Sequence, residues 1–431
     1  MKKLPVISCD EELNQRILQV TERFGAFWEP IFFQDKDEAL EFLAYELPDV
    51  SVVNLSDDAM DTTAVLNTIQ SDPWLHYGGI IAVHRRRDEA RVSELVPNSQ
   101  IISAIPRGEF VSSFFRVLKI ITENRNILFH RDIQSYFTGA VAGNFVMDND
   151  PFNVRTYANL VSNFLFNANY VDRDRRERVH VAIFEMLMNA VEHGNCGITF
   201  EEKTRWLEEG RDSIDLIRSK RNADPTVQAK RVHFSYRITP ERSSFTIRDE
   251  GAGFDWRSHI GAHAAANGEA QLTLHGHGIK MTRHYMENLR YNDSGNEVSF
   301  EVAHQNRSSN IVPEIFQNQG EDRYQDGDVI FSEGEESNTL FYIVSGELSV
   351  QANGHELGRL TAQDMFLGEM SFLLNDRRSA TVLSRGESVL IPISKNAFVS
   401  AIKKNPHYGI FLARLLAQRL SRLNARVASS G

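Results

Sequence analysis

One helical block and two glycine clusters, in fixed order, constrain this chain more than anything else in it. The block runs Glu185-Met-Leu-Met-Asn189-Ala190-Val-Glu-His193-Gly194. Val181, Phe184, Leu187, Met188 and Val191 recur at helical spacing, and neither Pro nor Gly interrupts them before Gly194. On a helix, Glu185 and Asn189 are four apart and share a face. A carboxylate beside an amide oxygen suits a hard cation such as Mg²⁺, which takes a few protein oxygens and completes its shell from phosphates. Such a carboxylate can also orient or deprotonate an attacking hydroxyl. The first cluster, Asp249-Glu-Gly251-Ala-Gly253-Phe254-Asp255, follows a strand-like run over 244–248. A carboxylate at a strand end can accept from an adenine amino group, and Gly251 and Gly253 let backbone approach a base closely. The second cluster, His275-Gly276-His277-Gly278-Ile279, leads into a stretch expected to be helical over 279–289. Glycines at a helix start form a phosphate cradle. Residues 256–274, rich in Ala, Gly and His, read as a lid.

Taken singly, a Glu and an Asn on a helix are an ordinary solvated face, and Asp-x-Gly-x-Gly is an ordinary turn. In this order and spacing the three resemble the ATP site of the gyrase/histidine-kinase ATPase superfamily, and within it the anti-sigma-factor serine-kinase branch. The resemblance implies a Bergerat-type α/β sandwich over residues 126–308. It places ATP against Asn189, His193, Asp249, Gly251, Gly253, Phe254, Gly276, Gly278 and Ile279, Mg²⁺ on Asn189, and a general base at Glu185. The acceptor it implies is a serine or threonine of an anti-anti-sigma-type protein. Phe254-Asp255 is similar to that branch, while Leu128-Phe-His130-Arg-Asp lacks the His-Glu-x-Arg-Thr-Pro pattern of a phosphoacceptor helix. No transducer domain of the gyrase type is present. Residues 199–230, long and charged, depart from minimal anti-sigma kinases and are expected to add a helix. Glu192 reads as a surface residue, and His193 as either a helix-end residue or an ATP contact. Two rival readings are a non-catalytic ATP-dependent binding switch and an atypical histidine kinase, with His130 and His180 as poor phosphoacceptor candidates.

From Tyr324 the pattern changes to short apolar strands with turn signals every 7–12 residues, as in Asp326-Gly-Asp328-Val-Ile-Phe331 and Leu340-Phe-Tyr-Ile-Val-Ser-Gly346. That spacing predicts a β-barrel or jelly roll. Phe366-Leu-Gly368-Glu369-Met370-Ser371 followed by Arg377-Arg378-Ser379-Ala380 resembles the phosphate-binding cassette of cyclic-nucleotide-binding domains. A short helix after Gly368 offers free N–H groups to a phosphate. Arg378 can pair with that phosphate through charge-assisted hydrogen bonds. The resemblance puts Glu369 on the ribose 2′-hydroxyl, and Gly368, Met370, Ser371, Ser379 and Ala380 around the ligand. In that resemblance a Thr after the Arg favours guanine, whereas Ser379 is compatible with adenine, so cyclic AMP is expected rather than cyclic GMP. Beyond the barrel, residues 406–425 carry an apolar stripe (Ile410, Phe411, Leu415, Leu416, Leu420, Leu423) opposite arginines. They are expected to form a helix; the resemblance implies that it caps the nucleotide and transmits its presence through a homodimer interface, and a plain packing helix is the alternative. No helix-turn-helix follows, which speaks against a transcription factor of the catabolite-activator kind.

In the N-terminal third, four apolar strands (beginning near Leu4, Val50, Gly79 and Gln100) alternate with amphipathic helices, predicting a parallel α/β sheet. The pattern resembles a flavodoxin-like response-regulator receiver. Asn54 stands where a receiver's Asp ends the third strand, and Ile105-Pro106 replaces Lys-Pro. A pseudo-receiver used for docking is therefore expected over residues 1–125, with Asp10, Glu11 and Glu12 keeping an acidic pocket and Asp57 as a minor phosphoacceptor candidate. A cyclic-nucleotide domain over 309–431 completes a multidomain α/β, α+β and β architecture. The 431 residues suit about three domains. A net charge of −11 disfavours nucleic acid or an anionic membrane as partner. No apolar run approaches 18 residues, no signal peptide is evident, and two cysteines build no disulfide framework, so a cytoplasmic location is expected.

Overall fold

The computed structural model of the chain describes residues 1–71, 75, 78–95, 100–124, 141–168, 170–239, 241–254, 256, 277–304, 310, 312–313, 316–317, 319–406, 408–409, 412–413 and 416. Packing divides it into two compact units: Met1–Phe115 with Leu165–Asp172 and Gln305–Gly431, and Arg116–Phe164 with Arg173–His304.

At the N-terminus, strands and helices alternate: β1 (Lys2–Ile7), α1 (Glu11–Thr21), β2 (Trp28–Phe33), α2 (Lys36–Glu46), β3 (Val50–Asn54), α3 (Thr62–Ser71), β4 (Gly79–His84), α4 (Glu89–Leu95), β5 (Ile101–Pro106) and α5 (Phe110–Glu123). The strands form a parallel sheet in the order β2-β1-β3-β4-β5. This is a doubly wound order whose direction reverses between β1 and β3. β3 is buried along its whole length, as a central parallel strand covered on both faces must be. Asp10 and Asp35 cap α1 and α2 by accepting backbone N–H groups of the first turn. Four of the five strands are those expected from the sequence. The fifth, β2, carries Pro30, which is tolerated because β2 lies at the sheet edge.

The middle of the chain builds β6 (Val141–Met147), α6 (Pro151–Asn167), α7 (Arg173–Asn189), α8 (Phe200–Glu208), α9 (Ser213–Ala223), α10 (Pro225–Ala229), β7 (Val232–Ile238), β8 (Arg242–Arg248), α11 (His277–Tyr285), β9 (Glu287–Tyr291) and β10 (Glu297–Ala303). Its antiparallel sheet runs β6-β7-β8-β10-β9. Phe145, Phe234, Phe245 and Phe300 form a buried aromatic row across four strands, with successive ring centroids 5.6, 6.1 and 5.4 Å apart. Two expectations need correction. The segment 199–230 holds three short helices rather than one, each with its own side-chain cap: Thr199, Asp212 and Asp224. The helix after the second glycine cluster ends at Tyr285, and Leu289 belongs to β9, because β9 must reach β10 to close the sheet edge.

The C-terminal part is antiparallel β: β11 (Asp322–Tyr324), β12 (Val329–Phe331), β13 (Thr339–Ala352), β14 (His355–Thr361), β15 (Phe366–Leu367) and β16 (Thr381–Ser394), with α12 (Glu369–Leu374) and α13 (Lys395–Lys404). β13 and β16 pair over most of their length and bend together where the register shifts between Ser345 and Glu347. Gly346, at φ +105°, sits in that bend, and a Cβ there would collide with Ser388. The sheet encloses an inner core of Phe331, Ile343, Leu348 and Leu390. Of the expected C-terminal helix, residues 408–409, 412–413 and 416 are helical; Ile410, Phe411, Leu415, Leu420 and Leu423 lie outside the described residues.

Candidate nucleotide sites

The last turns of α7 carry Glu185 and Asn189, four residues apart on one helix. Beyond Asn189 the helix widens into a π-turn over Ala190–Asn195, closed by Cys196 N–H donating to the Val191 carbonyl at 2.9 Å. Glu185 is half-buried, and burial raises its carboxyl above the usual range; Lys203 opposes the rise and Glu192 adds to it. Asp249 directly follows β8, and its carboxylate accepts from Gly251 N–H at 2.8 Å. Burial pushes Asp249 up to about 6, against that hydrogen bond.

The π-turn and the Asp249 loop touch. A Cβ on Gly194 would collide with the Asp249 carboxylate, and one on Gly251 would collide with the Gly194 carbonyl. Gly253, at φ +79°, leaves no room for a Cβ beside the Ser294 carbonyl. Phe254 is exposed, its ring edge-on to Tyr291 at 5.4 Å. Asn195 is the site residue that sequence reasoning missed. Fully buried, it donates to Asn149 Oδ1 (2.7 Å) and the Arg231 carbonyl (3.0 Å) and accepts from Glu250 N–H (2.8 Å). It thereby ties the end of α7 to the Asp249 loop.

Glu192 corrects the expectation of a surface residue. Its side chain is 4% exposed and paired with Lys203 Nζ at 2.7 Å, because α8 brings a cation over it. His193 Nδ1 lies 2.7 Å from the Ile198 carbonyl, which can only accept, so Nδ1 carries the proton. Gly278 and Ile279 open the first turn of α11. Gly276, Asp255 and the lid residues from 257 on lie outside the described residues. The buried, poorly solvated Asp249 carboxylate beside two obligatory glycines fits an adenine amino donor, and Asn189 one turn after Glu185 fits a Mg²⁺ that takes its remaining ligands from phosphate. His180 stacks on Phe184 (6.2 Å, 18°), and burial with Arg176 and Arg155 nearby pulls its pKa down to about 4.

A second site forms where β15 meets α12. Gly368, at φ +79°, caps α12, and a Cβ there would collide with Arg378. Arg378 is 2% exposed. It donates to the Gly368 carbonyl (3.1 Å), Ser371 Oγ (2.8 Å), Ser337 Oγ (2.7 Å) and the Thr339 carbonyl (2.7 Å), with its guanidinium 4.1 Å from the Phe331 ring centroid. Its Nε is buried without a hydrogen-bond partner among the described residues. Burial pulls the Arg378 pKa down; Glu335 and Glu369 counter it. A buried cation with an orphaned N–H fits an anionic phosphate, which would supply both charge and acceptor. Glu369 is half-buried, Ser371 and Ala380 are buried, and Met370 and Ser379 are exposed.

Residues 147–302 match the family model of the histidine kinase-like ATPase domain, and residues 321–405 that of the cyclic nucleotide-binding domain. The chain carries both domains. The Pycsar effector protein XpPycTIR of Xanthomonas perforans is 28% identical over 104 residues, covering 24% of this chain and 34% of that protein. The match thus spans about a third of that curated relative. Among solved structures, the catabolite activator protein of Thermus thermophilus is similar at 25% identity (26% of this chain, 55% of that one, TM-score 0.25). A cyclic nucleotide-binding domain from Methylobacillus flagellatus KT is similar at 21% identity (25% and 66%, TM-score 0.24). No helix among the described residues is long and apolar enough to cross a membrane.

In the N-terminal sheet, the acidic groups are already engaged. Asn54 Nδ2 donates to Ser8 Oγ (3.2 Å) and Asp57 Oδ2 (3.4 Å), and Asp57 also accepts from the Cys9 (2.7 Å) and Ala59 (3.0 Å) N–H groups. Arg107, just past β5, pairs with Asp10 at 2.5 Å. Arg85 and Arg87 pair with Asp58 at 2.5 and 3.2 Å. No cluster of metal-ligating residues is found among the described residues.

Proposed function

We propose that this chain is a cyclic-nucleotide-regulated, ATP-dependent serine/threonine protein kinase of the anti-sigma-factor type, acting in bacterial signal transduction. The observation that carries the reading is the contact of Gly194 and Gly251 with the buried Asp249 carboxylate at the end of the helix bearing Glu185 and Asn189. Asp249 holds the adenine amino group, and Gly253, Phe254, Gly276, Gly278, Ile279 and His193 complete the ATP pocket. Asn189 holds Mg²⁺, which supplies charge neutralisation to the triphosphate. Glu185, raised by burial, orients the acceptor hydroxyl and takes its proton. Desolvation of the His180 ring, stacked on Phe184, restricts its access to a γ-phosphate and disfavours it as a phosphoacceptor.

The residues 368–380 cassette takes the cyclic nucleotide, with Arg378 on the phosphate, Glu369 on the ribose, and cyclic AMP preferred to cyclic GMP. Residues 1–125 act as a pseudo-receiver. The strand order supports this, as do the Arg107–Asp10 ion pair, which occupies an acidic group a cation would need, and the four-way engagement of Asn54 and Asp57. Residues 126–308 and 309–431 form the kinase and sensor, in a cytoplasmic homodimer whose substrate is an anti-anti-sigma-type protein. The test is Glu185→Gln in the full-length protein. Acid-stable phosphate transfer to a serine or threonine should be lost while ATP binding stays within a few-fold. Intact signalling in cells with no transfer from either protein would favour the binding switch instead.

A further inference from the structure

Leu47 lies one residue past the end of α2, at φ +46° and ψ +61°, with its N–H donating to the Leu43 carbonyl. This left-handed position normally goes to glycine, and a bulky residue there is an outlier that surrounding structure must hold. What holds Leu47 is burial. Its side chain is 5% exposed and belongs to an apolar cluster of the cyclic nucleotide-binding domain with Phe316 and Tyr408, beside a partly buried Leu75. The Phe316 and Tyr408 rings are 6.2 Å apart.

The same cluster reaches the cassette. Gly368 caps α12, which carries Glu369 and Ser371 in its first turn, and the next residue, Phe372, is 1% exposed within the cluster. Phe372 packs edge-to-face on Phe398 of α13, at 5.3 Å and 88°. One short helix therefore joins the phosphate-facing residues to the cluster that Leu47 enters. We propose that this cluster is an intramolecular interface through which occupancy of the cassette is passed to the α2–β3 corner of the N-terminal sheet. The proposal rests on reading residues 368–380 as a cyclic-nucleotide site. A close-packed cluster cannot absorb a shift of Phe372 without moving its neighbours. Coupling of this kind is reciprocal, so altering Leu47 must also alter ligand affinity.

The experiment is hydrogen–deuterium exchange on the full-length protein with and without saturating cyclic AMP, beside calorimetric titration. Amide exchange over residues 36–55 should change by about fivefold or more on binding. In Leu47→Gly, which removes the side chain and relieves the left-handed strain, that change should shrink severalfold while cyclic AMP still binds, and Leu47→Ala should behave alike. Binding without any change over 36–55 in the wild-type protein overturns the coupling and leaves the cassette reading standing. Failure to bind cyclic AMP, cyclic GMP, cyclic CMP or cyclic UMP fails the cassette reading, and the coupling with it.

Discussion

At the scale of single residues, two buried groups carry the account. Asp249 has an ordinary carboxylate's chemistry but a pKa pushed up to about 6 by burial. Only its ionised form accepts fully from an adenine amino group. ATP affinity in the proposed site should therefore hold at pH 7 and fall as pH drops through 6, by about tenfold at pH 5. Titrations with a fluorescent ATP analogue at several pH values check this, and Asp249→Asn should flatten the profile while weakening binding. Arg378 is the counterpart in the β-domain. Arg378→Ala should weaken cyclic-nucleotide binding by about 2–3 kcal/mol, measured by calorimetry. Arg378→Lys should not restore it, because an ammonium cannot reproduce four fixed donations to Gly368, Ser371, Ser337 and Thr339. Both residues were legible in the sequence because their neighbours, Gly251 and Gly368, are local. Asn195 was not: its partners Asn149, Arg231 and Glu250 lie 36 to 55 positions away.

At the scale of elements, the inserted helices α8 to α10 show what local signals reveal and what they hide. Thr199, Asp212 and Asp224-Pro225 are readable helix starts, so three helices rather than one were within reach of the sequence. That α8 lays Lys203 over Glu192 was not, since no periodicity announces a cation delivered by an insertion. The pair is asymmetric: Glu192 is almost fully buried and Lys203 only partly. Lys203→Met should strand the Glu192 charge and destabilise the ATPase domain by about 3 kcal/mol, seen as a lower urea midpoint. Lys203→Met with Glu192→Leu should recover much of that loss. β2 escaped notice for a related reason, because Pro30 counts against a strand until its edge position is known.

At the scale of the whole molecule, the architecture follows from three successive sequence rhythms: alternating β and α, then helices against an antiparallel sheet, then period-two strands with regular turns. That rhythm made the ATPase and cyclic nucleotide-binding domains legible, but it says nothing about the residues that join one domain to another. Leu47 is such a residue: in sequence it is one more leucine at the end of an amphipathic helix, and its left-handed backbone and its place in the β-domain cluster emerge only from tertiary packing. The measurement that tests the central claim most directly is transfer of labelled γ-phosphate from Mg-ATP to anti-anti-sigma-like proteins, using the full-length chain and Arg378→Ala, each with and without cyclic AMP. The account predicts acid-stable label on a serine or threonine whose rate changes severalfold with cyclic AMP in the wild-type protein and not in Arg378→Ala. Label that is absent despite measured ATP binding, or that is indifferent to cyclic AMP in the wild-type protein, would contradict it.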